Sequence, residues 1–184
     1  LARYNGVWDV VFGSVVSGRS PEIFGVERMI GNFINTIPVR VKIHPELTFA
    51  QLLAQIQQYA LAAEPHHYLP LSRVQAESGL HEGLFDTLVA FANYPVETPL
   101  DVLSDVSKSG FFIGKVSHFE QTHYDFDIQF LLTDQLDIRI GYEKHLYDEA
   151  QIHRVAKHFR AVLNAMLENE CALIGSVDFL TDHE

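Results

Sequence analysis

Residues 85–94 (FDTLVAFANY) constrain the fold more than any other stretch, because apolar residues fall on both parities and a strand here has no face to give to water. Such a strand belongs in the middle of a sheet, with cover on both sides. Its neighbours can be read nearby. Residues 10–16 (VVFGSVV) are a short apolar, β-branched run bounded by turn signals, the pattern of a buried strand. Residues 36–43 (TIPVRVKI) are a further strand, with Pro38 near its start, where proline is tolerated. Strands are also expected at 111–120, 124–133 and 136–143. In 124–133, Tyr124, Phe126, Ile128, Phe130 and Leu132 alternate with mostly polar residues; in 136–143, Leu136, Ile138, Ile140 and Tyr142 do the same. The Asp134-Gln135 turn makes these two a hairpin.

Two long helices carry clear start signals. Thr48 and Gln51 have the spacing of a capping box, and Leu47 and Leu52 sit where a hydrophobic staple would. Leu52, Ile56, Tyr59, Ala60 and Ala63 then recur at helical period until Pro65 ends the run. Pro70 opens a shorter helix toward Gly79. The last helix starts at Asp148, again three residues before a glutamine, with Ile152, Val155, Ala156, Phe159, Leu163 and Met166 as its buried stripe. Residues 17–26 (SGRSPEIFGV) read as a loop. The expected architecture is α/β, a mixed sheet of about five or six strands packed by two long helices. Residues 1–6 look like the last turn of a helix, with Arg3 near its end and Gly6 as the C-cap glycine. A chain that opens on a final helical turn, without Met, reads as cut from a longer one.

At 184 residues and 47% hydrophobic, the chain can bury one sizeable core and is expected to be a single domain. The net charge of −11 argues against a nucleic-acid backbone or an anionic membrane surface as partner. Cys171, the single cysteine, excludes an internal disulfide and a cysteine-based zinc site, and is compatible with a reducing cytosol. No stretch approaches 18 uninterrupted apolar residues, and no signal-peptide pattern is present.

Candidate chemistry is sparse. His66-His67 is the most tempting pair, but it falls between two helices and reads as a surface or helix-cap feature. His118 and His123 are an odd number of residues apart, so a continuous strand points them to opposite faces. His153 and His158 sit roughly 140° apart around a helix, and no metal site is expected. Asp125 and Asp127 share a strand face; the reading is a solvated or hydrogen-bonded face, not a paired-acid site. No GxSxG or P-loop pattern occurs. Arg19 and Arg40 have the chemistry to bind phosphate, but such residues more often make structural ion pairs or surface contacts.

A series of motifs, in order along the whole chain, resembles the condensation domains of nonribosomal peptide synthetases. Residues 9–19 (DVVFGSVVSGR) resemble the family's DVVFGxxVSGR segment, and 21–27 (PEIFGVE) its PxxxxGV(E) loop. Residues 30–40 (IGNFINTIPVR) are similar to the core motif (I/V)GxFxNTxPxR, the most specific match. Residues 66–72 (HHYLPLS) resemble HxDxPFE, but Tyr68, Leu71 and Ser72 replace the usual acid, Phe and Glu. Residues 84–95, 124–128 and 142–159 resemble the LFDTLFVFxNYP stretch, the YDLxL strand and the closing EYxxxLFDxxxIxxxxxHF helix. The catalytic HHxxxDG motif lies, in the family, before the segment where this chain begins. His66-His67 does not supply it, because the Asp-Gly is missing.

The resemblance implies the C-terminal lobe, residues 1–184, of a chloramphenicol acetyltransferase-like fold, without its N-terminal catalytic lobe. It implies peptide-bond formation between acyl or peptidyl and aminoacyl thioesters on the 4'-phosphopantetheine arms of carrier proteins, in the cytoplasm. No cofactor bound directly to this lobe and no catalytic residue in it are expected, and the fragment alone is expected to be inactive. Expected partners are the N-terminal lobe and the two carrier proteins, with self-association of the fragment. Ser17, Gly18 and Arg19 match the loop that crosses to the other lobe and forms the floor of the site; Asn35, Thr36 and Arg40 come from the core motif. Asn35 keeps two readings, an amide that orients a thioester or stabilises an oxyanion, or one that holds a loop. Arg40 is expected as an ion-pair anchor. A non-catalytic carrier-binding or scaffold module of the same fold, or an epimerization or cyclization relative, stays open as an alternative.

Overall fold

The computed structural model describes residues 1–20, 22–80, 83–92, 122–132 and 134–178. Among them five strands form one sheet: β1 (Asp9–Val16), β2 (Asn35–Lys42), β3 (Thr87–Ala92), β4 (Phe126–Leu132) and β5 (Leu136–Tyr142). The order is β2-β1-β3-β4-β5. The outer pairs are antiparallel, while β3 runs parallel to both β1 and β4, so the sheet is mixed as expected. The apolar run at 85–94 does supply the central strand, in its 87–92 portion. The strand expected at 111–120 and the end of the FDTLVAFANY run lie outside the described residues.

Register sorts the side chains onto two faces, since directly paired residues point the same way. Val89, Ile128 and Ile140 share one face with Phe91, Phe130 and Ile138. Leu88, Asp127 and Gly141 share the other with Gln129 and Arg139. The apolar face meets the last helix of the chain. Cover over β3 is uneven: Thr87 and Leu88 are buried, but Phe91 leans on Phe130 with centroids 6.5 Å apart and stays 57% exposed. The central strand is therefore enclosed at its start and open toward its end.

Among the described residues the α-helices are α1 (Ala2–Asn5), α2 (Phe49–Ala63), α3 (Leu71–Glu77) and α4 (Glu149–Glu168). Both expected capping boxes form. The Thr48 hydroxyl accepts from Gln51 N–H at 3.2 Å and the Gln51 side chain accepts from Thr48 N–H at 2.9 Å. Asp148 and Gln151 repeat this at 2.7 and 2.9 Å. Threonine and aspartate caps of this kind satisfy donors that the first helical turn leaves open. In α4, Phe159 packs on Phe130 of the sheet at 6.0 Å, and Ile152 is buried. In α2 the expected stripe holds at Leu52, Ile56 and Ala63 but not at Tyr59 and Ala60, which are exposed. The reason is local: from Gln57 onward this helix borders an open cleft instead of packed structure.

Gly6 ends α1 in the left-handed conformation, φ 63°, as a C-cap glycine should. Arg3 of that short helix donates to the carbonyls of Ile174 and Gly175, at 2.9 and 3.2 Å. Tyr4 bonds His158 of α4. The first turn of the chain is thus fastened to its last described elements.

Candidate functional site

A cleft of about 640 Å³ opens where β1 leaves the sheet. One wall is the segment after β1, with Ser17, Gly18, Arg19 and Ile23; the other is the end of α2 and the turn after it, with Leu61, Glu64, His67 and Tyr68. Three of the six residues singled out from sequence therefore line the cleft directly.

The first wall is shaped by two adjacent residues. Gly18 has φ 63°, and a Cβ there would overlap the Phe33 carbonyl oxygen. Only glycine lets the backbone come this close. The loop between residues 18 and 33 is pinched shut at that point. Arg19 then fills the loop's interior: Nη1 donates to the carbonyls of Val26 and Met29, the latter at 3.0 Å, and the guanidinium lies 4.3 Å from the centre of the Phe33 ring. A planar guanidinium can lie on the ring while one of its nitrogens reaches both carbonyls, which an ammonium does not match. Arg19 is occupied by the chain itself, which favours the structural reading of this arginine over phosphate binding.

The second wall is set by Asn35. Its Nδ2 donates to the carbonyls of His67 at 2.7 Å and Leu69 at 2.8 Å, while Oδ1 accepts from Thr36 N–H at 2.9 Å. Of its two readings, the geometry favours the amide that holds a loop. Thr36 contributes its backbone and pairs with Val15 across the sheet. Arg40 is not brought to the cleft. It sits further along β2, roughly 13 Å beyond Thr36 at strand rise, and grips Asp9 with two hydrogen bonds of 2.9 and 2.7 Å. That is the ion-pair anchor expected of it. The hydrogen bond from Arg40 holds the Asp9 carboxyl below the usual aspartate range.

The remaining candidates separate. His66 is exposed in the 3-10 turn Glu64–His66, and His67 is half-buried on the cleft wall, so the pair is a turn feature. Among the described residues His67 Nε2 is enclosed without a hydrogen-bond partner. His153 is exposed and lies 3.7 Å from Glu149, whereas His158 is buried against Tyr4, so the two α4 histidines do not converge. Asp127 is buried and accepts from the Thr122 hydroxyl at 3.2 Å. Asp125 just precedes β4; with Asp86 it adds to the burial that holds the Tyr147 phenol above its ordinary range. Among the described residues no group of three or more His, Cys, Asp or Glu is placed to hold a metal ion, and no helix is long and apolar enough to cross a membrane.

Sequence reasoning missed two things. The Tyr4–His158 contact spans 154 positions, and nothing local to either residue announces it. The role of Phe33 as a platform for Arg19 was equally hidden, although the core motif contained it.

Comparison with known proteins closes the question of kinship. The family model of the condensation domain matches residues 1–184. Surfactin synthase subunit 2 of Bacillus subtilis (strain 168) is 40% identical over 184 residues, and gramicidin S synthase 2 of Brevibacillus brevis 36% over 184. Each alignment takes in all of this chain but only 5% and 4% of the relative. Among solved structures, a variant of the starter condensation domain of rhizomide synthetase superposes with a TM-score of 0.79 at 22% identity, covering 98% of this chain and 42% of that one. The X-domain in its complex with OxyB from teicoplanin biosynthesis gives 0.73 at 20% identity, covering 98% and 40%. The chain spans about two fifths of the length of these solved chains, and it belongs to the condensation-domain family.

Proposed function

We propose that residues 1–184 are the C-terminal lobe of a condensation domain that forms a peptide bond in nonribosomal peptide synthesis. The amine of a carrier-bound aminoacyl thioester attacks the carbonyl of a carrier-bound acyl or peptidyl thioester. A C–N bond forms, the C–S bond breaks, the amine loses a proton and the first pantetheine thiol is released. The histidine motif for this step belongs to the N-terminal lobe. This lobe supplies one side of the substrate passage, through the 17–34 loop and the turn at 64–69. The reaction takes place in the cytoplasm, with the two carrier proteins and the N-terminal lobe as partners.

One observation carries the reading: the family model extends over the entire chain, from the first residue to the last. The cleft agrees with it, because the residues that match the crossing loop also line that cleft.

The test is a single-turnover assay with two loaded carrier proteins, the product being read by mass spectrometry of the pantetheine arm. The full-length protein that carries this chain is expected to form the condensed product, and residues 1–184 alone to form none. Product from residues 1–184 alone, or none from the full-length protein across a panel of loaded pairs, would overturn the proposal.

A further inference from the structure

We propose that Arg19 and Asn35 are a pair of positioning residues that set the two walls of the cleft, one pin for each wall. This rests on the functional reading above, because the cleft matters only if substrate passes it.

The two residues lie at opposite ends of one loop, and each serves two backbone carbonyls from a single side-chain nitrogen, Nη1 of Arg19 and Nδ2 of Asn35. Arg19 reaches across the loop to Val26 and Met29 and rests on Phe33. Asn35 reaches out of the loop to His67 and Leu69, in the turn that joins α2 to α3. Ser17, Gly18, Ser20, Glu22 and Ile23 stand on the wall that Arg19 holds; His67 and Tyr68 stand on the wall that Asn35 holds. Backbone carbonyls do not change with side-chain substitution around them. Donors that read carbonyls therefore fix loop shape with little dependence on the side chains the loop displays, Phe33 under Arg19 excepted.

The pinned parts are also those with least support from the core. Phe24 and Ile30 are fully exposed, and among loop residues 22–34 only Val26 is buried. Without Arg19 the segment at 22–34 keeps its short-range turns, such as Val26 N–H to the Ile23 carbonyl at 3.1 Å, but loses the side-chain tie between Val26, Met29 and the start of the loop. Without Asn35 the turn at 64–69 keeps its own hydrogen bonds, Leu69 N–H to His66 carbonyl at 3.0 Å among them, but loses its tie to β2. Neither substitution touches the sheet ladder, so both should move the walls while the fold remains.

The decisive variants are Arg19→Lys and Asn35→Asp, compared with wild type. Lysine keeps the charge and a donating nitrogen but has no planar guanidinium to lie on the Phe33 ring while that nitrogen reaches Val26 and Met29. Aspartate keeps the acceptor for Thr36 and removes both donors to the turn. Hydrogen exchange on residues 1–184 is the first readout. Arg19→Lys should speed exchange of amides in 22–34, and Asn35→Asp in 64–69, with β1 and β2 amides unchanged. Steady-state condensation by the full-length protein is the second. Each variant should raise KM for a loaded carrier about tenfold, with kcat within about threefold, because a displaced wall weakens placement more than chemistry. Asn35→Gln, which retains an amide, should recover part of the loss seen with Asn35→Asp. Unchanged exchange overturns the proposal, and so does faster exchange with unchanged KM. If wild-type full-length protein makes no product, the functional reading fails, and exchange alone then decides whether the pins exist.

Discussion

Gly18 and Gly25 offer a matched pair for testing how tightly the cleft wall is built. Both have positive φ, 63° and 74°. A Cβ at Gly25 meets nothing within 4 Å, whereas one at Gly18 overlaps the Phe33 carbonyl oxygen. Replacing either with alanine forces an L-residue into the left-handed region, at about 1 kcal/mol or slightly more. Gly25→Ala should cost only that. Gly18→Ala must also separate two backbone segments, and they cannot separate without loosening what holds the loop. The loop is held by the burial of Val26, about 1.5–3 kcal/mol, the stacked guanidinium, about 0.5–1 kcal/mol, and the hydrogen bonds from Arg19, about 1.5 kcal/mol or more each. Partial loss of these brings the expected cost of Gly18→Ala to about 3 kcal/mol. With a urea m-value of about 2 kcal/mol/M, the midpoint falls by about 1.5 M for Gly18→Ala and about 0.5 M for Gly25→Ala. Trp8, the single tryptophan, reports unfolding by fluorescence, and far-UV circular dichroism checks that the transition is two-state. Midpoints for the two variants within about 0.3 M of each other would show that the Gly18–Phe33 approach is not a constraint.

Other expectations follow from the same geometry. Thr48→Ala and Asp148→Ala each remove a cap with a reciprocal bond and should each cost about 1 kcal/mol in urea unfolding, adding in the double variant because the two capping boxes share no partner. The Arg40 hydrogen bond depresses the Asp9 carboxyl below its ordinary 3.8. The pair therefore stabilises the fold above that pH, and the contribution is lost as pH falls through the lowered value. Both partners are exposed, so the effect should be small and weakened by salt, and Asp9→Asn should remove its share of the acid limb in melts scanned by pH. Sedimentation velocity of residues 1–184 should show association that grows with concentration, and Phe24→Ser with Ile30→Ser should reduce it; a strict monomer at every concentration would refute this.

Features stated by a few adjacent residues were legible. Both capping boxes, the glycine that ends α1, the helix opened by Pro70 and the β4–β5 hairpin each depend on contacts within a few positions. Nonlocal facts were not. That β3 inserts between β1 and β4 is a matter of pairing across more than 30 residues on one side and more than 70 on the other. The α2 stripe misled at Tyr59 and Ala60 because helical period shows where an apolar face lies, not how far along it the cover extends. Of the site, the motif residues were found, and the ion pair of Arg40 and a loop-holding Asn35 were among the expectations, but the partners of Arg19 and Asn35 were not legible. Arg19 and Asn35 bind carbonyls, which every residue carries, so no sequence pattern could name their partners.

Those partners bear on why the loop keeps its shape at all. The best-buried apolar side chains, Val41, Phe49, Val26, Leu88 and Ile152, come from separate parts of the chain, and no described side chain is wholly enclosed. A core this thin leaves little to pull the 22–34 loop inward, yet Ile23, Phe24, Met29, Ile30 and Ile34 are all exposed on it. A free loop of that composition would collapse onto the nearest apolar surface. Gly18 and Arg19 oppose collapse by tying residues 26, 29 and 33 to the start of the loop. Covering Phe24 and Ile30 alone is worth about 3–6 kcal/mol, energy that the loop forgoes in this shape. Gly18 and Arg19, the two residues that shape the first wall of the cleft, thus also keep this apolar area at the surface.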